Sequence, residues 1–507
     1  MTNHSVEAVN TKMGDDYFGD YNNLISRAAE EFGGKFAATA SPTLSKEETV
    51  TFLYQSIKKG VLLKRRPIFP WRRLVEFVPR LILMFIRVSY ASLRFRVRNI
   101  PESSVYFRTG LVPRSVSGER LVDDYFRQLP ADLSSTEKVV VGFTSIDIGL
   151  LKQFARVRKD NTHIVSYGLL SPLDIVLLFI DYILNALIQV KEKYYLDDVE
   201  VTEYINKSLL LDYLGLRSFE AFTEKYKCRK LISHKIKAFI YVFENQSWEK
   251  ACCTTLRESD IRLIGYQSSG FSPVFLNFFP TEQDAYRHPM PDVVLTVGDY
   301  FRRYLLEHGH YRIPVETFAA LRFSYANDGS KYMVSPPNPD IIGRILYAFP
   351  VHIEQYPSII RDLIEVFRNT QISIDLKLHP LYRLNDIKGI HMLPDNFRVI
   401  TDVNMDSLRD TYDCVLFNDN SFGIEALLKG VKSYQYSHAG EFSDDRFIYF
   451  TLWNVNYAFE NLSVLRELIL SKCYEKSFDR NAVATYVNAM YKPYRNNAEI
   501  IERLLNH

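Results

Sequence analysis

An imidazole, a hydroxyl and a carboxylate stand between Ile372 and Tyr434 in an order that suits a phosphate ester. The segment ISIDLKLHP is apolar and closes on His379-Pro380; a second apolar segment, Val415 to Asn418, closes on a polar turn, Asn420-Ser421, where a helix is expected to open. In an open α/β sheet, ligands sit at the carboxyl ends of parallel strands, and helix N-termini there bind anions. Glu425 follows Ser421 by four residues, about one helical turn, so hydroxyl and carboxylate share a face. Such a set offers donors to phosphate oxygens and a carboxylate to the vicinal hydroxyls of a ribose. Gly423 lets the backbone come close. His352 and Glu354, after the apolar segment RILYAFP, could touch the same ligand from the other side. A His-Pro pair and an Asn-Ser helix cap also occur as ordinary structure, and it is their succession at two strand ends that gives them weight.

A second group lies earlier in the chain. Glu244 ends the apolar run Ala238 to Phe243 and is followed by Asn245 and Gln246, which can hydrogen-bond sugar hydroxyls. A carboxylate partly desolvated at a strand end has a raised pKa and suits general-base work. Asp147, in the turn of VVVGFTSIDIGLLKQF, is the alternative base, and Gln267, Ser268 and Ser269 occupy a neighbouring turn that could contact an acceptor. Glu244 could equally cap the helix that follows it. No convincing DxD pattern is present; Asp197-Asp198 and Asp444-Asp445 read as solvated loop charges. The chemistry outlined here requires no metal.

The elements that must position these groups alternate. Short apolar strands and helices succeed one another from about residue 139 to Arg322 and again from residue 344, which argues for two doubly wound α/β domains. The expected division is 1–100, a mobile lead-in followed by a basic amphipathic region; 101–323, an N-terminal Rossmann-like acceptor domain; 324–339, a linker rich in Gly, Ser and Pro; and 340–507, a C-terminal Rossmann-like nucleotide-binding domain whose last helices cross back over the first. With 507 residues and 47% hydrophobic content, and a mean hydropathy of −0.13, the chain can bury substantial cores.

Charge is segregated. Between Lys58 and Arg98 there are twelve Lys or Arg against Glu76 alone, a local +11, so with a net charge of +2 the remainder carries −9. Arg66, Arg73, Arg80, Arg87 and Arg94 recur every seven residues, which keeps them near one helical face, drifting about 20° per heptad. Pro67, Pro70 and Pro79 limit the expected continuous helix to Arg80 onward. A basic stripe beside apolar residues, with Trp71 ahead, suits an interfacial helix on an anionic membrane; packing on the protein's own acidic domain is the other reading. No nucleic-acid module accompanies the charge, so nucleic acid is not an expected partner. The apolar run Leu169 to Val190 approaches the length of a membrane span, but Asp174 and Asp181 within it argue for a buried or interfacial helix, with the Asp pair facing the arginines. The first twenty residues lack an apolar core behind a basic start, so no signal peptide is expected. Five cysteines without CxxC spacing fit a reducing compartment.

The HP motif and the later serine motif, His379-Pro380 and Asn420-Ser421, resemble the C-terminal half of GT-B glycosyltransferases of bacterial surface-carbohydrate biosynthesis. Within them the resemblance is to CMP-sugar enzymes: sialyltransferases, polysialyltransferases and capsule Kdo transferases. Teichoic-acid polymerases that use CDP-alditols look similar. The phrases ENQSWEKA and GYQSSGFSP are similar to bacterial surface-carbohydrate biosynthesis proteins. The resemblance implies that His379 and Ser421 hold the donor phosphate and Glu425 the ribose. It further implies transfer of a nonulosonic acid or Kdo from a CMP-activated donor to a lipid-linked glycan or other cell-surface precursor, with no cofactor. The expected location is the inner face of the bacterial cytoplasmic membrane. Several relatives carry Ser-Ser or Ser-Thr where this chain has Asn420-Ser421, which leaves the exact family and its donor open. Two other classes stay open as well: a CDP-alditol phosphotransferase, with the same phosphate grip and a different leaving bond, or a non-catalytic scaffold of a glycan assembly complex, against which His379, Ser421 and Glu425 together argue.

Overall fold

A computed structural model describes residues 15–58, 71–118, 120–158, 162–268, 270–271, 275–287, 289–322, 343–350, 353–379, 382–387, 392–400, 403–405, 407–418, 420–429, 431–436, 458–459, 461–470, 489–495 and 498–506. The chain divides into two compact units. One comprises Met13–Arg322 together with Lys492–His507, and the other includes Phe323–Tyr491.

The first unit is built on seven parallel strands: β1 (Val105–Gly110), β2 (Val139–Thr144), β3 (His163–Val165), β4 (Ala238–Val242), β5 (Arg262–Gln267), β6 (Val293–Thr296) and β7 (Val315–Thr317). Their order is β7-β6-β5-β4-β1-β2-β3. Strands covered on both faces must be apolar throughout, and β4 obeys this, with all five residues buried. Because the chain winds outward from β1 in one direction and then returns to place β4 on its other side, the order reverses between β1 and β4. That reversal opens a crevice at their carboxyl ends. The helices used below are α1 (Asp15–Phe32), α2 (Trp71–Arg94), α3 (Ile148–Val157), α4 (Pro172–Asn185), α5 (Phe219–Ser233), α6 (Ser247–Leu256) and α7 (Asp299–His308).

The second unit repeats the plan with six parallel strands: β8 (Arg344–Ala348), β9 (Ser373–Lys377), β10 (Phe397–Ile400), β11 (Cys414–Phe417), β12 (Lys432–Tyr436) and β13 (Ala458–Phe459). The order β10-β9-β8-β11-β12-β13 reverses between β8 and β11. Helix α8 (Tyr356–Phe367) follows β8, and α9 (Phe422–Leu428) follows β11. Two doubly wound α/β units are therefore present, as the alternation of strand and helix predicts.

Three expectations need correction. The lead-in is structured from Asp15: Tyr17, Tyr21 and Leu24 of α1 are buried, and the two tyrosine hydroxyls donate to the carbonyls of Val50 (2.8 Å) and Leu44 (2.6 Å). The sequence there is polar on average, but its aromatic residues fall on one helical face and find a core. The basic helix starts at Trp71 and carries Pro79 in its interior. A proline removes one hydrogen bond and disturbs one turn without ending every helix, and Glu76 bonds Arg72 (2.8 Å) on one side of Pro79 and Arg80 (2.7 Å) across it. Asp174 and Asp181 do not face the arginines. They pair with Lys230 and Lys225 of α5, each at 2.9 Å, because α4 packs on α5 through its Asp-bearing side.

The last described helix, α10 (Ala498–Asn506), belongs to the first unit. Lys492 exchanges backbone bonds with Ala320 and Val297, Thr136 donates to Glu502 at 2.6 Å, and Arg503 pairs with Glu316 at 3.0 Å.

Candidate functional sites in the two units

In the second unit the residues singled out from the sequence gather at one edge of the sheet. His379 follows β9 by two residues and Ser421 follows β11 by four; these strands flank β8. With neighbouring strands about 4.8 Å apart, the two ends stand roughly 10 Å from each other across β8. Asn420 ties the edge together. Its side-chain amide donates to the carbonyls of Ala348 (2.9 Å) and Asn418 (2.8 Å), and its oxygen accepts from the N–H of Phe422 (2.9 Å). Capping α9 therefore falls to Asn420, and the Ser421 hydroxyl is turned instead toward Glu425, to which it donates at 3.0 Å. The hydroxyl and the carboxylate share a face at the start of α9. Lys377, the last residue of β9, brings its ammonium 5.0 Å from the centre of the Phe422 ring, a cation next to Ser421 that strand reading alone passes over as one more residue of ISIDLKLHP.

Gly423 has a different use from the one expected. A Cβ there would come within 2.1 Å of the Phe417 ring, so the close approach is made by an aromatic side chain of β11. Gly423→Ala should destabilise this unit by about 1–3 kcal/mol, the usual cost of overpacking a filled core, and urea unfolding followed on the second unit checks it. Pro380 and His352 lie outside the described residues, as does the side chain of Glu354.

In the first unit, Glu244 stands two residues beyond β4, at the reversal of strand order. Burial pushes its carboxyl above the ordinary range, an effect that a hydrogen bond from Gln246 and the positive charges of Arg108 and Arg322 only partly offset. Glu244 does not cap α6. Glu249, inside α6, instead fastens the turn ahead of the helix, its carboxyl accepting from the backbone N–H groups of Glu244 (3.0 Å) and Asn245 (2.9 Å). Glu249 is itself buried, and burial and the neighbouring Glu244 drive its pKa well up. Asn245 holds a left-handed backbone, φ 52°, and its side chain donates to the carbonyl of Asn277 at 2.8 Å. A cavity of about 270 Å³ adjoins this strand end, and its lining includes Ser41, Lys46, Arg217, Gln246, Trp248 and Asn277. Cation, hydroxyl, amide and indole are the groups that hold sugars and their phosphates.

The other described residues of this group stand at the same carboxyl edge of the sheet, at the ends of β2 and β5, and Asp147 and Gln267 have structural tasks there. Asp147 is exposed and caps α3, accepting from the N–H of Leu150 at 2.8 Å. Gln267 is buried at the end of β5, where its side-chain oxygen accepts from the N–H of Val297 at 3.1 Å. Ser268 is buried with no hydrogen-bond partner for its hydroxyl among the described residues, and Ser269 lies outside them.

Behind Glu244 lies a buried charge cluster absent from the sequence reading. Arg108 of β1 bonds Glu224 (2.9 Å) and Glu220 of α5, and its guanidinium lies 3.4 Å from the centre of the Trp248 ring. Lys227 completes the set at 2.7 Å from Glu224. Burial works against the charge of Glu224, but Lys227 and Arg108 outweigh it and hold the carboxyl below its ordinary range. The ligand atoms of Glu224, Cys228 and Cys252 lie within 4.8 Å of one another. Glu224 is already committed to two cations, and burial drives the Cys252 thiol well up, so this trio is packed as core. Cys228, Cys252, Cys253 and Cys414 are free thiols.

No protein-family model matches the chain, and no curated protein sequence does. Among solved structures the neighbours are glycosyltransferases and UDP-N-acetylglucosamine 2-epimerases. The UDP-N-acetylglucosamine 2-epimerase from Rickettsia bellii has a TM-score of 0.46 at 12% identity, over 80% of this chain and 96% of that one. The glycosyltransferase SnogD from Streptomyces nogalater has a TM-score of 0.46 at 13% identity, over 80% of this chain and all of that one. The UDP-GlcNAc 2-epimerase from Neisseria meningitidis, bound to UDP-GlcNAc, has a TM-score of 0.44 at 13% identity, over 80% of this chain and all of that one.

Proposed function

We propose that this protein is a GT-B glycosyltransferase that moves a nonulosonic acid or Kdo from a CMP-activated donor to a cell-surface glycan precursor, such as a lipid-linked glycan. The observation that carries the reading is the pairing of two doubly wound sheets whose strand-order reversals are each furnished with polar side chains: Asn420, Ser421 and Glu425 in one, Glu244, Asn245 and Gln246 in the other. The second unit supplies the donor grip. His379 donates to the phosphate, the Ser421 hydroxyl joins it by turning from Glu425 when the donor binds, Lys377 adds positive charge beside it, and Glu425 takes the ribose hydroxyls; these groups offset the charge that develops on the departing nucleotide without a metal. The first unit supplies the base and the acceptor contacts. Glu244 takes the proton of the acceptor hydroxyl as its oxygen bonds to the anomeric carbon, and CMP leaves with the electron pair of the broken glycosidic bond. A single displacement of this kind inverts the anomeric centre.

Calorimetric titration of the purified protein with CMP, CDP, UDP and GDP tests the donor site. Cytidine nucleotides are expected to bind selectively. Because a hydrogen bond to a charged group contributes roughly 1.5–3 kcal/mol, His379→Ala and Ser421→Ala should each weaken that binding at least about tenfold. If no nucleotide binds, the scaffold reading replaces this one. If cytidine nucleotides bind but only CDP-alditols turn over, the phosphotransferase alternative does.

A further inference from the structure

We infer that α2 and α4 together form a pad that seats the first unit in the interface of an anionic phospholipid bilayer, lying in the membrane plane. The inference does not depend on the transferase reading. Of the 22 large apolar residues exposed among the described residues, nine lie on α2 and six on α4. The two helices touch through Phe85 and Phe179, whose ring centres are 5.1 Å apart, and through the Ser92 hydroxyl, which donates to the carbonyl of Leu170 just ahead of α4 at 2.6 Å. Their apolar surfaces are therefore neighbours. An apolar patch carried by two adjacent helices exceeds the scatter of single apolar residues normal on soluble surfaces.

The orientation of each helix is fixed by its other faces. On α4, Leu173, Leu177, Ile180 and Leu184 fall within a stripe roughly 60° wide at about 100° per residue; the opposite side carries buried Ile175, Leu178 and Tyr182, and on the flank between them the Asp174–Lys230 and Asp181–Lys225 ion pairs hold the helix to α5. On α2, counting from Trp71 at about 100° per residue, Val75, Val78, Ile82 and Ile86 stay within roughly 60° of it. Arg73, Arg80, Arg87 and Arg94 lie about 140–200° around, and buried Val88 and Ser92, at about 260–300°, take the remaining side. The helix thus divides into a lipid side, a cationic side and a protein side, the arrangement of an in-plane helix whose arginines reach up to phosphate headgroups. Trp71, 67% exposed at the start of α2, supplies the amphipathic ring favoured at that depth. No helix among the described residues is long and apolar enough to cross a membrane. Charge selects the occupant: α2 carries five arginines against Glu76 alone, an excess that anionic headgroups complement and that a second copy, bearing the same excess, would repel. Arg66 lies outside the described residues.

Flotation of the full chain with vesicles tests the proposal. The protein should float with vesicles of phosphatidylcholine mixed with phosphatidylglycerol. Each arginine near an anionic surface contributes about fivefold in affinity, so phosphatidylcholine alone should retain far less. Val75→Glu combined with Leu184→Glu, both exposed positions, should lower binding at least tenfold with an unchanged melting temperature. Trp71 emission should shift to the blue on adding the mixed vesicles and be quenched by brominated lipid, and Trp71→Phe should remove both signals. Failure of the wild-type chain to float, double-variant binding equal to wild type, or no change in Trp71 emission would each overturn the proposal. So would a dimer that forms without lipid and is abolished by the same two substitutions while no vesicle is bound.

Discussion

Glu244→Gln should abolish sugar transfer while leaving nucleotide binding intact. General-base removal costs about 10²–10⁴-fold in rate, and the proposed donor grip resides on a different unit, so on that reading calorimetric affinity for cytidine nucleotides should not move. Burial raises the Glu244 carboxyl above its ordinary 4.5, and a base works only when ionised. On the proposed mechanism the transfer rate of the wild-type protein should therefore fall as pH drops through that raised value, giving an acid limb closer to neutrality than an unperturbed glutamate would. Glu244→Asp keeps a carboxylate but withdraws it by one methylene, and should recover part of the rate. Steady-state product formation against pH, beside the titrations, separates the effects. A wild-type rate in Glu244→Gln would remove Glu244 from the mechanism and leave the donor site standing.

Arg108→Met should cost the first unit about 3–5 kcal/mol of stability, read as a shift of the urea midpoint. Removing one partner from a buried ion cluster leaves the others buried without compensation; here Glu224 would keep only Lys227, and Trp248 would lose the guanidinium stacked on it. The pH dependence has a definite sign. Glu224 titrates below its unfolded value because of Lys227 and Arg108, so it contributes stability that is present above the unfolded pKa of about 4.5 and lost as pH falls through the folded one. Without Arg108 that contribution shrinks, and the gap between variant and wild type should narrow on acidification. Adding Glu224→Gln in the Arg108→Met background should lower stability further, because Lys227 is then buried without its carboxylate, but the double loss should be smaller than the sum of the two single losses, since both break the same ion pair; a purely additive penalty would mean that the two residues do not interact.

What could be read before folding was local. The strand ends at His379 and Glu244 show themselves by apolar runs that stop at polar residues, and Ser421 with Glu425 by a spacing of one helical turn. The positions of Arg108 and Lys377 could not be read that way. Arg108 sits inside an ordinary strand, VYFRTG, and the glutamates that give it meaning lie 112 and 116 residues away. Lys377 acquires its place only when β9 and β11 are set on either side of β8. The run Leu169 to Val190 shows the limit differently: its composition cannot say which side meets protein, and the pairing of Asp174 and Asp181 with α5 is what turns the leucines and isoleucines outward. Asn420 and Gly423 have structural tasks that their local sequence does not show, one fastening two strand ends, the other making room for Phe417.

The return of Lys492–His507 to the first sheet bears on the order in which the protein is made. Domains generally fold from the N-terminus as they leave the ribosome, yet here the unit whose sheet is made first is finished last. Until α10 has emerged, the faces that receive Tyr494, Glu502 and Arg503 stay uncovered at Asp132, Thr136 and Glu316, whereas Phe323–Tyr491 is already synthesised in full. The later unit can settle while the earlier one waits, and a chain cut short after Tyr491 would be expected to lose stability in the half that lies furthest from the cut in sequence.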